Sequence, residues 1–150
     1  MTTITQAAGS RTLLTNTALN SLANGTYVGA GVIDVHALSP LELVIELEAT
    51  PGTVVSPFQI SVFVQASFDG GNFSTGPLSG TSTTDEPDLI LLGVLPLNSA
   101  STLQRKPFAV AAALGYVPPY LRLICKNETG AALAASGHAV YYTAYTGNAA

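Results

Sequence analysis

At 150 residues the chain is long enough for one domain with a real core. Only 9% of it is charged, against about 25% in a usual globular protein, so its surface must be built from Ser, Thr, Asn, Gly and backbone, which suits contact with other proteins. A net charge of −4 with five dispersed basic residues excludes the patch that phosphate neutralisation needs, and the lone Cys125 excludes an intrachain disulfide or a multi-thiolate metal site.

No apolar run approaches the roughly 20 residues of a membrane span. The N-terminal residues lack a basic start and a long apolar core, so no secretory signal is read there. The absence of a disulfide fits folding in a reducing cytoplasm.

Residues 1–25 mix Thr, Ala, Asn, Leu and Ser without clean alternation. They are expected to form an extended N-terminal arm that docks on a neighbour, with a short helix over Asn16–Ala23 as the alternative. Asn24-Gly25 marks a turn, and residues 26–150 are expected to form the β-sandwich domain. Tyr27–Ala37 reads as a strand with Ile33, Val35 and Ala37 on one face. Gly29 and Gly31 inside it predict a bulge or another backbone close by.

Leu41–Glu48 is the clearest ribbon. Leu41, Leu43, Ile45 and Leu47 fall on one face, and Glu42, Val44, Glu46 and Glu48 on the other. After a turn at Thr50–Thr53, Phe58–Phe68 predicts a strand with Ile60, Val62, Val64 and Ala66 in its apolar row. Asp69-Gly70-Gly71-Asn72 is a tight reversal, followed by a polar loop to Thr84.

Leu89–Leu97 is almost continuously apolar, as in a strand buried on both faces or at an interface. Arg105–Ala113 is the next strand. Its Ala111–Leu114 tail is open to a helical turn that Gly115 and Pro118-Pro119 would stop. Tyr120–Lys126 places Leu121, Leu123 and Cys125 inside and Tyr120, Arg122, Ile124 and Lys126 outside. His138–Tyr145 puts Val140, Tyr142 and Ala144 on one face and Tyr141, Thr143 and Tyr145 on the other. Strands at this spacing, with no helix–strand alternation, predict an all-β antiparallel sandwich of jelly-roll type.

The residues that carry chemistry give no assembled motif. Asp34 and His36 share a face, and with His138 they would make a two-histidine, one-carboxylate metal site. Histidines so far apart in sequence meet seldom, and solvated side chains are the expectation. Serines are plentiful for a Ser–His–Asp set, but no Gly-x-Ser-x-Gly elbow occurs. Glu42, Glu46 and Glu48 are the candidates for a glycosidase's carboxylate pair, for which the gap between carboxyls matters; adjacent same-face residues lie about 6.5–7 Å apart along a strand, yet these glutamates are expected to face water.

Asp85, Glu86 and Asp88 lack the spacing of a calcium loop. Cys125 is expected to pack as a small apolar residue. Asn24, Asn72 and Asn127 begin Asn-x-Ser/Thr sequons, which matter only in a secreted eukaryotic chain. No catalytic, cofactor-binding or metal-binding residue is assigned.

The ordered series Arg105–Gly115, Val117–Ile124 and Lys126–Gly137 resembles a pattern in small virion proteins of tailed bacteriophages. There an arginine-led strand ends in an Ala-rich corner and Gly, a proline turn and apolar strand follow, and an Asn-x-Thr-Gly-Ala-Ala-Leu hairpin leads to a tyrosine-bearing last strand. Phe68-Asp69-Gly70-Gly71-Asn72-Phe73 resembles the upstream hairpin, so the likeness spans about residues 58–146 and leaves residues 1–25 outside it. It implies a non-enzymatic structural protein on the capsid exterior, made in the host cytoplasm. Such a head decoration (cement) protein would be a homotrimer that clamps the major capsid protein, with no cofactor and no nucleic-acid or membrane partner. A tail-tip or fibre domain binding a host carbohydrate receptor through Tyr141, Tyr142 and Tyr145 is the alternative.

Overall fold

The structure is a computed structural model that describes residues 3–54 and 58–149. The first two residues of the expected arm lie outside it. Ten strands are found among the described residues: β1 Ile4–Ala8, β2 Thr12–Thr15, β3 Tyr27–Asp34, β4 Glu42–Ala49, β5 Gln59–Ser67, β6 Ser79–Gly80, β7 Ile90–Pro96, β8 Gln104–Ala109, β9 Tyr120–Glu128 and β10 Ala139–Ala149. One short α-helix, α1 Val110–Leu114, continues β8, and a single 3-10 turn covers Glu86–Asp88.

The strands make two antiparallel sheets. The first runs β1-β10-β4-β8, with β2 also on β10, and the second runs β6-β3-β9-β5-β7. Without β1 and β6, the remaining orders 2-10-4-8 and 3-9-5-7 are those of a chain wound back and forth between two layers, the jelly-roll winding. The all-β sandwich expected from the alternation is therefore the observed fold.

The β4 ribbon supplies the middle of the core. Leu43, Ile45 and Leu47 are fully buried, each worth about 1.5–3 kcal/mol by transfer from water. They meet Ile60, Val62 and Val64 of β5 and Leu121, Leu123 and Cys125 of β9 in one cluster. Val140 and Ala144 join from β10, with Tyr142 packed at the margin, as their alternation predicts. Burial pushes the Cys125 thiol up to about 12, so it packs as an inert apolar group.

Both open sides of the sandwich close on glycine. The Phe108 ring of β8 lies against Gly93 of β7, where a Cβ would stand 2.8 Å from the ring. On the other side Leu14 of β2 packs on Gly31 of β3, at a φ of 133°. The β3–β9 register slips between Gly29 and Gly31, and the Gly29 N–H reaches the Leu78 carbonyl at 2.9 Å. Both features read from these glycines, a bulge and a near backbone, are present.

Several boundaries differ from expectation. Within the stretch expected as an arm, residues 4–8 and 12–15 form β1 and β2, which pair with β10 of the same chain. Residues 16–23 form successive turns instead of a helix, and these sink Leu19 and Leu22 into the core. β3 ends at Asp34, where the Leu38 and Ser39 N–H groups turn back to the Val35 carbonyl and leave Ala37 exposed. β7 is a sheet edge with Leu91 at 53% exposure, so the run Leu89–Leu97 is not buried on both faces. The alanine tail of β8 does become helical, and Gly115 caps α1 at a φ of 82°.

Ile124 was expected on the wet side of β9 but is fully buried. Residues 68–89 cross the outer face of the second sheet as a strap. Leu89 of this strap closes a second apolar cluster with Tyr27, Phe63 and Ile124.

Candidate functional site

The acidic face of β4 is engaged in structure. Glu42 accepts the N–H groups of Leu43 at 2.8 Å and Ala111 at 2.7 Å, joining β4 to the start of α1. Arg11, in the β1–β2 link, bonds Glu46 and Glu48 together and lays its guanidinium 3.3 Å from the centre of the Tyr141 ring. Arg105 adds a contact to Glu48 at 3.4 Å. The hydrogen bond to Glu46 chiefly raises the Arg11 pKa. A glycosidase needs one carboxyl free to donate and one free to attack, and these three carboxylates are otherwise occupied.

The histidines are placed apart in role. The buried His138 accepts the Thr50 N–H on Nδ1 at 3.2 Å, which leaves Nε2 to donate to the Ala134 carbonyl at 2.9 Å. It staples the start of β10 to two loops. His36 is half exposed, and its Nδ1 lies 2.6 Å from Asp34 Oδ1. That bond is the main reason the Asp34 carboxyl sits below its ordinary range.

No group of three or more His, Cys, Asp or Glu side chains is gathered to hold a metal ion among the described residues, so His36, Asp34 and His138 do not form the set considered from sequence. Nor do Asp85, Glu86 and Asp88. Glu86 bonds the Tyr27 hydroxyl and, at 2.6 Å, the Lys126 ammonium, while Asp88 accepts from Thr75 at 2.6 Å.

Glu86 is the pin of the strap. Lys126 also approaches Glu128 at 3.3 Å, and Glu128 accepts from Ser61 and from Gln59. Burial is the largest single influence on Lys126 and pulls its pKa down, but the bond to Glu86 and the charges of Glu128 and Glu86 together raise it. Burial pushes the Glu128 carboxyl up, and its bonds to Ser61 and Gln59 with the Lys126 charge outweigh this and lower it.

Exposed aromatic rings gather at one end of the sandwich, on the loops after β3, β5 and α1. Phe68, 70% exposed, stacks on Tyr116 with ring centres 6.0 Å apart. His36 stacks on Tyr120 at 5.2 Å. Gly70 lies against the Tyr120 ring at a φ of 78°, so a side chain there would be both strained and crowded.

Asp69 organises the reversal, accepting from the backbone of Asn72 at 2.7 Å and of Gly71 at 2.9 Å. It also accepts from the side chains of Ser67 at 3.0 Å and Asn72 at 2.7 Å. These bonds, with Asn72 first, hold its carboxyl far below the usual carboxylate range. Beside the rings is a cleft of about 220 Å³ walled by Val35, His36, Pro40, Val117, Pro118 and Pro119. Ser39 borders it, and among the described residues no serine hydroxyl bonds either histidine. The end therefore presents exposed aromatic rings and a half-exposed histidine beside the cleft.

The three tyrosines of β10 do not make this platform. Tyr142 packs toward the core and Tyr141 is covered by Arg11. The sequence signal for the true aromatic end was the Phe68-Asp69-Gly70-Gly71 junction, which puts Phe68 one residue past β5 and so outside the sandwich. A second hollow of about 240 Å³ lies over Gly29 and Gly31, between Val32, Leu78 and Arg122. No helix among the described residues is long and apolar enough to cross a membrane.

A scan against protein-family models finds no match to this chain. A search of curated proteins finds no significant match either.

Proposed function

We propose that the chain is a non-enzymatic structural protein of a tailed-phage virion, a head decoration protein that binds the outside of the capsid shell as an oligomer, expected to be a homotrimer. The observation that supports a contact role is the surface. Twelve large apolar side chains are well exposed on the described residues, while the carboxylates and histidines weighed for catalysis are bound into turns, caps and ion pairs. Contiguous apolar groupings mark interaction sites, and two are found among these side chains, Phe68 stacked on Tyr116 and Ile4 with Leu41 beside Gly147. Repeated weak contacts on a lattice add up through avidity, so no single tight site is required. The virion and its major capsid protein enter through the series of turns over residues 58–146.

Particles purified on a density gradient from the producing phage test this. Quantitative mass spectrometry should find the chain in a constant ratio to the shell protein. Its absence from purified particles, with the shell protein present, would overturn the proposal.

A carbohydrate- or receptor-binding role at a tail tip or fibre is favoured by one observation, the exposed Phe68–Tyr116 stack, since aromatic faces pack on the apolar faces of sugars. A glycan array should then give a signal that Phe68→Ala with Tyr116→Ala abolishes. An array blank for the wild-type chain removes this alternative.

A further inference from the structure

We propose that the two-stranded ribbon made by β1 and the last residues of β10 is the self-association element, pairing edge to edge with the same ribbon of sister copies. The ribbon runs from the Ile4–Ala149 pair to the Ala8–Tyr145 pair. β4 accompanies β10 only as far as Tyr145, which pairs with Glu42. Beyond that point nothing among the described residues pairs with the β4 side of residues 146–149, and nothing pairs with the outer side of β1. Ile4, Thr5, Gln6 and Ala8 are all exposed, so both faces of the ribbon are wet. A two-stranded ribbon of this kind is marginal in water without cover.

The other edges show by contrast what is missing here. β8 carries Arg105, Lys106 and Pro107. β6 is two residues long. β7 is bulged near Gly93, ends in Pro96 and lies against β8. Charge, shortness, proline and bulging are the devices by which sheet edges avoid joining other chains. Ile4–Ala8 and residues 145–149 have no charged residue, no proline and no bulge in their register.

The occupant is a second copy of this chain. An open edge accepts an extended strand, and the absence of charge gives no selection for an acidic or basic partner. The ribbon itself carries two open edges of similar length, five residues on β1 and the stretch 146–149 on β10. β1 of one copy fits the β10 edge of the next, a head-to-tail contact that forms a ring when the rotation closes. Ile4 and Leu41, 70% and 54% exposed, meet over Gly147 beside that edge and would be covered by the same pairing. This deepens the oligomeric part of the proposed function and rests on no shell, so it stands or falls separately from the virion assignment.

The test uses the purified full chain without particles. Light scattering on a sizing column should give a discrete oligomer for the wild type. Ile4→Lys with Gln6→Lys should run as a monomer with an unchanged far-ultraviolet circular dichroism spectrum, and Ile4→Thr with Gln6→Thr should remain an oligomer. If the lysine variant does not fold, hydrogen exchange of the wild type decides: amides of residues 4–8 should be protected in the oligomer and lose that protection on dilution to monomer. A wild-type chain that is monomeric at every concentration overturns the proposal. So does an oligomer the two lysines leave intact, or exchange at residues 4–8 that dilution does not change.

Discussion

Asn127 shows how much one side chain can hold. It is fully buried, donates to the Leu22 carbonyl at 2.7 Å and the Ala131 carbonyl at 2.8 Å, and accepts from the Thr129 N–H at 2.9 Å. Asn127→Ala strands these partners, so urea titration should show a loss of about 2 kcal/mol or more. A change within error would mean the partners are rehydrated. Read from sequence, Asn127 was only a turn residue and the start of a sequon. Nothing local distinguishes a turn Asn from one whose amide reaches Leu22, because the contact is made by the fold. Cys125 was readable for the opposite reason: its neighbours in the alternation, Leu121 and Leu123, already place it inside.

Acid sensitivity belongs to the same scale. Asp69, Asp34 and Glu128 all have pKa values below their ordinary range in the folded chain. The unfolded chain therefore binds more protons between the two values, and stability falls as pH drops below the ordinary carboxylate range of about 4. Melting temperature measured against pH should decline across that window. Asp69→Asn, which keeps one acceptor oxygen but cannot titrate, should flatten part of the decline. An identical slope in the variant would remove Asp69 from the account.

At the scale of elements, the strands were legible and the strap was not. Leu41–Glu48 and Tyr120–Lys126 announce themselves because their burial is one-sided and period two survives in the residue types. The polar residues 72–84 carry no such pattern, since the strap is held by the pairing of β6 with β3, the backbone bond from the Gly29 N–H to the Leu78 carbonyl, the Glu86–Lys126 pair and Leu89, its one residue in the second apolar cluster. That is why the alternation of β9 alone puts Ile124 on the wet side, where the strap in fact covers it. Lys126→Met leaves the carboxylates of Glu86 and Glu128 facing each other without their cation. Both are about a third exposed or less, so the loss is discounted for solvent to about 1–2 kcal/mol. Hydrogen exchange should rise across residues 72–89, and equal exchange in variant and wild type would show that the strap is held without the ion pair.

For the whole molecule, the two-layer sandwich followed from the count and spacing of alternating segments, and the winding added what no segment contains. Nothing in Leu13 or Leu14 says that β2 will lie beside β10 and cross to β3, so residues 1–25 read as an arm until β1 and β2 are seen to pair with β10. The aromatic end has the same origin. Phe68, Tyr116 and His36 come from three separate loops, and only the packing of β3, β5 and β9 brings them together. The acidic β4 face, in turn, looked available because its cations, Arg11 and Arg105, are distant in sequence and arrive through the pairing of β10 and β8.

The middle strand of the second sheet, β9, and an interior strand of the first, β10, both come from the final third of the chain. During translation β3 and β5 have no shared neighbour until β9 leaves the ribosome, nor do β4 and β2 until β10 does. A nascent chain stalled before residue 120 therefore holds its apolar ribbons uncovered and should depend on holding chaperones. A ribosome stalled after residue 149 has been exposed should instead display a protease-resistant product.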